Sequence, residues 1–239
     1  MKRVPIIATG MMLAMTAASL AAEARATSVA TNGGSATSTS VAIGNGRSDA
    51  YAGATNGGRA VANSTATGLG IGAARSTSVA VADRGLAVSN SNATARGSWW
   101  GGAIAESQSV AATVGGVALS DSNAYSEGSL GGLAESLSRS TATSFQGIAI
   151  SDSAAISRGW MGGRAVSTSD SLADAYGGIA HSQVRAISDG SVYGSATSDG
   201  LGVAVSGPYR TARADVRAVG VAHRAGRATT RVSAVEIRR

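Results

Sequence analysis

Val117-Ala-Leu-Ser-Asp-Ser-Asn-Ala-Tyr-Ser-Glu-Gly128, entered through Gly115-Gly116, carries Ala, Ser or Gly at every second position. The same phrase returns at Ala134, Ser136, Ser138, Ser140, Ala142 and Ser144, then at Ala149, Ser151, Ser153, Ala155, Ser157 and Gly159. It returns again at Ala165, Ser167, Ser169, Ser171 and Ala173. Between these small residues stand Leu, Asp, Asn, Tyr, Glu, Arg, Ile and Thr in free variation. A period of two is the period of a β-strand, and a face built only of small side chains is one that another layer approaches closely. The varied face holds Arg139, Asp152, Arg158, Asp170, Asp174 and Arg185. Unpaired charges are costly to bury, so this face is expected in solvent and the Ala/Ser face inside. Inward Ser hydroxyls then need partners, either one another or strand carbonyls of neighbouring coils.

The first inward Ala of successive phrases falls at Ala87, Ala105, Ala118, Ala134, Ala149, Ala165 and Ala180, and successive pairs of gaps each span 31 residues. This predicts an all-β chain folded as a parallel β-solenoid or β-roll, with about 15–16 residues per coil, roughly ten coils and a thin Ala/Ser core. One turn of each coil is expected at the glycine step and a second at the polar centre, as at Asp121-Ser-Asn123 or Ser169-Asp-Ser171. A column of large residues ahead of the glycine step (Trp100, Val114, Leu130, Phe145, Trp160, Tyr176) is expected to form one stacked ridge closing an edge of the core.

Composition bears this out. The chain of 239 residues has 33 Gly, 2 Pro, 1 Phe and no Cys, and its Val, Ile, Leu and Phe together make less than a fifth of it. Ordering each residue costs roughly 1–2 kcal/mol, and Ala or Ser burial returns little apolar area against that. Order must therefore rest largely on backbone hydrogen bonding and repetitive stacking. Without Cys, disulfides contribute nothing.

Residues 1–26 read as a secretory signal peptide: Lys2 and Arg3 precede a largely apolar run to Leu20, and Ala22-Glu-Ala24 and Ala24-Arg-Ala26 are small-x-small cleavage sites. No later stretch is apolar enough to span a bilayer, so a secreted or cell-surface protein without a transmembrane segment in its mature chain is expected. Residues 27–200 form the repeat region, and residues 201–239 an Arg-rich cap or tail. Pro208 ends any interior strand there. The charge of +6 belongs mostly to this tail and to the leader.

At Thr39-Ser-Val-Ala-Ile-Gly44 and Thr77-Ser-Val-Ala-Val-Ala82 the wording resembles the head repeats of trimeric autotransporter adhesins. That resemblance implies a left-handed β-roll and a surface or adhesion role. The family's coiled-coil stalk and membrane barrel have no counterpart in the repeats read here, so self-anchoring is not implied.

Catalytic chemistry finds little footing. His181 and His223 are the only histidines, and a Ser beside His means nothing where Ser is everywhere. His181 occupies an outward strand position. Metal-ligand spacing is lacking, and no cofactor is expected. Calcium β-rolls require Gly-Gly-x-Gly-x-Asp, whereas Gly115-Gly-Val-Ala-Leu-Ser120 has Ala and Ser at the decisive places. Thr-x-Thr pairs at Thr37/Thr39, Thr65/Thr67 and Thr141/Thr143 raise ice binding, although their phase is irregular.

The expected function is therefore that of an exported, non-enzymatic structural or adhesive repeat protein presenting a rigid surface. The alternatives are a self-assembling matrix or functional-amyloid subunit, and an ice- or glycan-binding module. Candidate ligand-binding residues are Trp99, Trp100, Trp160 and Tyr176. Candidates for binding an anionic polymer are Arg210, Arg213, Arg217, Arg224, Arg227, Arg231, Arg238 and Arg239. The expected partners are a glycan, a cell-surface anionic polymer or further copies of the chain, with nucleic acid the least natural after export.

Overall fold

The computed structural model describes residues 9–10, 22–31, 33–43, 46–70, 73–97, 102–128, 132–161, 163–176, 178–190, 194–207, 211–222 and 227–238. Trp99, Trp100, Leu130, Arg210, His223, Arg224 and Arg239 lie outside them, as does most of the leader.

The described residues form strands and turns only. One sheet stacks β1 (Thr9–Gly10), β3 (Ser35–Ile43), β5 (Arg59–Gly70), β7 (Leu86–Gly97), β9 (Val117–Gly128), β11 (Ile148–Gly159), β13 (Ile179–Gly190) and β15 (Ala212–Ala222) in that order. The other stacks β2 (Ala22–Ala30), β4 (Gly46–Ala54), β6 (Ala73–Asp83), β8 (Ala103–Val114), β10 (Leu133–Phe145), β12 (Arg164–Tyr176), β14 (Ser195–Ser206) and β16 (Arg227–Arg238). All pairings are parallel, and each strand pairs with the one two further along, so the chain alternates between sheets in a flattened β-solenoid.

The register measures the coil directly. Ala103 pairs with Ala134, and Ala134 with Ala165, an offset of 31 residues. It is shorter near the start, where Ser35 pairs with Arg59, and 32 at the end, where Ser195 pairs with Arg227. The 15-to-16-residue unit is thus half a coil, one strand and one turn, and the described strands, eight in each sheet, make fewer coils than the ten expected. The second turn expected at the polar centre is absent: Asp121–Asn123 lies inside β9 and Ser169–Ser171 inside β12. Their turn propensity yields because backbone groups there are bonded to neighbouring strands on both sides, while Asp and Asn side chains point outward. The boundary at residue 26 falls inside β2, and that at residue 200 inside β14.

The core is as thin as the alternation requires. Ala134, Ser136, Ser138, Ser140 and Ala142 are at most 2% exposed, and the equivalent residues of β9, β11 and β12 are buried likewise. Hydroxyls zigzag across it. Ser153 Oγ donates to Ser138, and Ser169 Oγ to Ser153, in each case reaching the carbonyl oxygen or the hydroxyl. A carbonyl oxygen has a second lone pair beyond its ladder bond, so most inward Ser hydroxyls find an acceptor, with Ser151 and Ser157 among the exceptions. Late in the chain the pattern changes in a compensated way. Val184 replaces the inward Ser of the preceding coil, and Gly200 and Gly202 leave room for it and for Val216.

The glycine step has a steric cause. A Cβ on Gly116 would overlap the carbonyl oxygen of Gly85, and one on Gly147 that of Gly116. The backbones approach so closely because Val117 N–H donates to Gly85 O and Ile148 N–H to Gly116 O, both at 3.0 Å. Turn ladders thus continue the sheet ladders around the bend.

Candidate ligand-binding groove

The 31-residue offset gathers residues that the sequence keeps far apart. Val114 ends β8, Phe145 ends β10 and Tyr176 ends β12, and the register sets Val114 beside Phe145 and Phe145 beside Tyr176. Their turns are tied together: Gly115 N–H donates to Phe145 O, and Gln146 N–H to Tyr176 O. The rings of Phe145 and Tyr176 stack with centroids 5.2 Å apart and planes 5° from parallel. All three side chains stand in solvent, at 52%, 47% and 57% exposure. The expected ridge therefore does not close the core. Ala and Ser already fill the core, so no space remains for a large side chain to enter.

A groove of about 340 Å³ runs beside this column. Its second wall is the neighbouring outward column of Val81, Ala112, Thr143 and Asp174, which the register also aligns. The floor includes Ala82, Thr113 and Ser144. The groove is mainly apolar, with the Asp174 carboxylate and the Thr143 hydroxyl as polar groups on its wall. It can take an elongated ligand with an apolar face and a few hydroxyls.

The candidate ligand set divides on this geometry. Tyr176 lines the groove; Trp160, 52% exposed, follows β11 on the other row of turns, where its N–H donates to Gly128 O. The single ridge is thus two rows, because consecutive strands end at opposite edges of the flattened coil. Sequence marks Asp174 as an outward charge and Thr143 as one of a Thr pair, but places neither in a ligand site with Tyr176. The signal that marks them is their 31-residue spacing, two positions before Tyr176 and Phe145 respectively.

The basic residues divide too. Arg213 and Arg217 lie on β15 in the first sheet, and Arg227, Arg231 and Arg238 on β16 in the second. Arg213 Nε is 2.8 Å from Asp215 Oδ2, and His181 Nε2 is 3.2 Å from the same oxygen. Hydrogen bonds from His181 and Arg213 hold the Asp215 carboxyl below its ordinary range. The described arginines are divided between the last strands of the two sheets, where the sequence has them in one tail.

On the first sheet, Asn63, Asn90, Asp121, Asp152, Gln183 and Asp215 form one outward column. Asn90 Nδ2 donates to Asn63 Oδ1 at 2.9 Å. Burial raises the Asp121 carboxyl above its ordinary range, and the Asp152 charge one coil away raises it further. Asp152 is raised by burial too, against the pull of a backbone hydrogen bond, His181 and Arg185. Among the described residues no group of three His, Cys, Asp or Glu is placed to hold a metal. Among the described residues threonines face one another only in isolated pairs such as Thr67 with Thr94 and Thr197 with Thr229, while Thr65 faces Asn92, Thr141 faces Leu172 and Thr143 faces Asp174. No described helix is long and apolar enough to cross a membrane.

Comparison with protein-family models, with curated proteins and with solved structures found nothing that matches this chain. The class is therefore defined by the fold alone, a parallel two-sheet β-solenoid of tandem repeats.

Proposed function

We propose that this chain is an exported, non-enzymatic repeat protein that acts by presentation, holding a saccharide of a surface polymer in the groove beside Phe145 and Tyr176. The observation that carries this reading is the exposed Phe145–Tyr176 stack next to a groove whose polar lining includes Asp174 and Thr143. Sugars combine an apolar ring face with directional hydroxyls, and such ligands suit shallow sites of aromatic side chains with a few acceptors. Preorganisation adds to it: the groove residues sit on strands locked on both sides, so binding orders little. Residues 1–26, with their charged start and small-x-small sites, favour export, and the Ser-Val-Ala-Ile phrase favours an adhesin-like head.

The test is retention on immobilised cell-surface polysaccharides. Tyr176→Ala and Phe145→Ala are each expected to weaken binding about tenfold, the equivalent of ~1.4 kcal/mol. Trp160→Ala, on the opposite row of turns, should leave retention unchanged. Equal retention by the wild type and both groove variants would sink the assignment.

A further inference from the structure

On the outer face of the second sheet, several carboxylates are matched by a guanidinium. Asp49 lies 2.9 Å from Arg47 Nε, Glu106 2.8 Å from Arg75 Nε, and Asp170 3.6 Å from Arg139 Nε. Asp174 has no such match among the described residues. In its column the register sets Thr143 on one side and Val205 on the other. Along β12 its neighbours on the same face are Leu172 and Tyr176. All four are uncharged. Arg84 stands at the far end of the aromatic column, where it pairs with Asp83 at 3.8 Å and the register places Asp83 beside Val114. Three strand spacings, roughly 14 Å, separate that pair from Asp174, which is beyond the screening length in physiological salt.

This unmatched carboxylate is the one charged side chain in the described lining of the groove. It shares a face of β12 with Tyr176 two positions on, so their Cα atoms are about 7 Å apart. A ligand laid against Tyr176 therefore covers Asp174 as well. A neutral sugar would strip water from the carboxylate and return only hydroxyl contacts, and an anionic sugar would add repulsion. A protonated amine returns a charge-assisted hydrogen bond, roughly twice as strong as a neutral one. The same cation lies within reach of the Tyr176 ring, whose electron-rich face attracts it.

We propose that the groove selects saccharides that carry a free, protonated amine, with Asp174 binding the ammonium group while Phe145 and Tyr176 pack the sugar ring. The inference rests on the saccharide reading above and narrows it to amino sugars without an N-acyl group. Thr143, one coil from Asp174 in the same column, is placed to bond a neighbouring sugar hydroxyl. β12 is paired on both sides, by β10 and β14, so the carboxylate and the ring hold their spacing before ligand arrives. The chain as a whole carries +6, so its long-range field repels a cationic polymer. Preference for the amine must therefore come from the local carboxylate.

The experiment measures retention of the full-length chain on chitosan beads and on the same beads after N-acetylation, which removes the charge and keeps the polymer. The wild type is expected to bind the free amine form at least about tenfold more tightly. Asp174→Asn, nearly identical in shape, should bind both forms alike, with far-UV circular dichroism showing that it folds. Asp152→Asn, on the other sheet, should keep the wild-type preference. Equal binding of the two forms by the wild type, or a preference that survives Asp174→Asn, overturns the amine assignment and leaves the saccharide reading standing. Loss of the preference in Asp152→Asn traces it to overall charge and overturns the assignment too. Retention on neither form also overturns it, and the saccharide reading then stands or falls on the Tyr176 and Phe145 variants above.

Discussion

Ser153 Oγ stands 3.0 Å from Ser138 Oγ and 2.9 Å from the Ser138 carbonyl oxygen, across a core that two sheets share. Bonds of this kind let a polar side chain occupy an interior about as thin as an Ala methyl. Ser153→Ala leaves the Ser138 acceptors short of a donor and is expected to cost about 1 kcal/mol. Ser151, one strand position earlier on the same inward face, has a buried hydroxyl without a partner. Ser151→Ala should therefore be neutral or raise the denaturation midpoint. Urea unfolding of the two variants checks the contrast, and equal losses would contradict it.

Gly116 and Gly102 differ in what a methyl group would meet. At Gly116 a Cβ overlaps the Gly85 carbonyl oxygen, whereas at Gly102 the nearest atom is the Leu133 oxygen at 4.0 Å. Gly116→Ala must separate two coils at a hydrogen-bonded turn and is expected to cost about 3 kcal/mol or more. Gly102→Ala should change stability by less than about 1 kcal/mol. Thermal melts of both variants measure the difference.

Gly202 exists for Val216. A Cβ on Gly202 would lie 2.6 Å from Val216 Cγ2, so Gly202→Ala overpacks the late core at an expected cost of about 1–3 kcal/mol. Val216→Ala in the same chain removes the colliding methyl and should recover much of the loss. A double-mutant cycle that gives simple additivity would show the two positions to be uncoupled.

Asp121 and Asp152 stack one coil apart on the first sheet, and burial raises the carboxyl pKa of each, with the Asp152 charge adding to the shift at Asp121. For an acid raised on folding, the stabilising contribution is complete below the unfolded value of 3.8 and is lost as pH rises through the higher folded value. The melting temperature should fall across that interval. Asp121→Asn removes the like-charge contact and should flatten that fall, with a gain of roughly 0.2–1 kcal/mol at neutral pH. A profile unchanged by the substitution would exclude the pair as its source.

Much of this molecule is legible in one strand. The alternation of Val117–Gly128 tells which side chains face inward, because successive residues of a strand point to opposite sides whatever the strand pairs with. The glycine step is legible for a related reason, since a residue that must lack a Cβ recurs wherever backbones meet at a bend. What remained hidden is which phrase lies beside which. Both a 15-to-16-residue coil and a 31-residue coil satisfy the same local periods, and only the pairing of Ala134 with Ala165 distinguishes them.

From that one long-range fact the rest follows. Trp160 is nearer to Tyr176 in sequence than Phe145 is, yet Phe145 stacks on Tyr176 while Trp160 stands on the other row of turns. Arginines clustered along the tail part to two faces for the same reason. Sequence alone determined the strand period, the Ala/Ser interior and the need for glycine, all local consequences of backbone geometry. Tertiary structure alone decided the coil length and the groove, because strand pairing joins residues 31 apart through hydrogen bonds that no local pattern encodes.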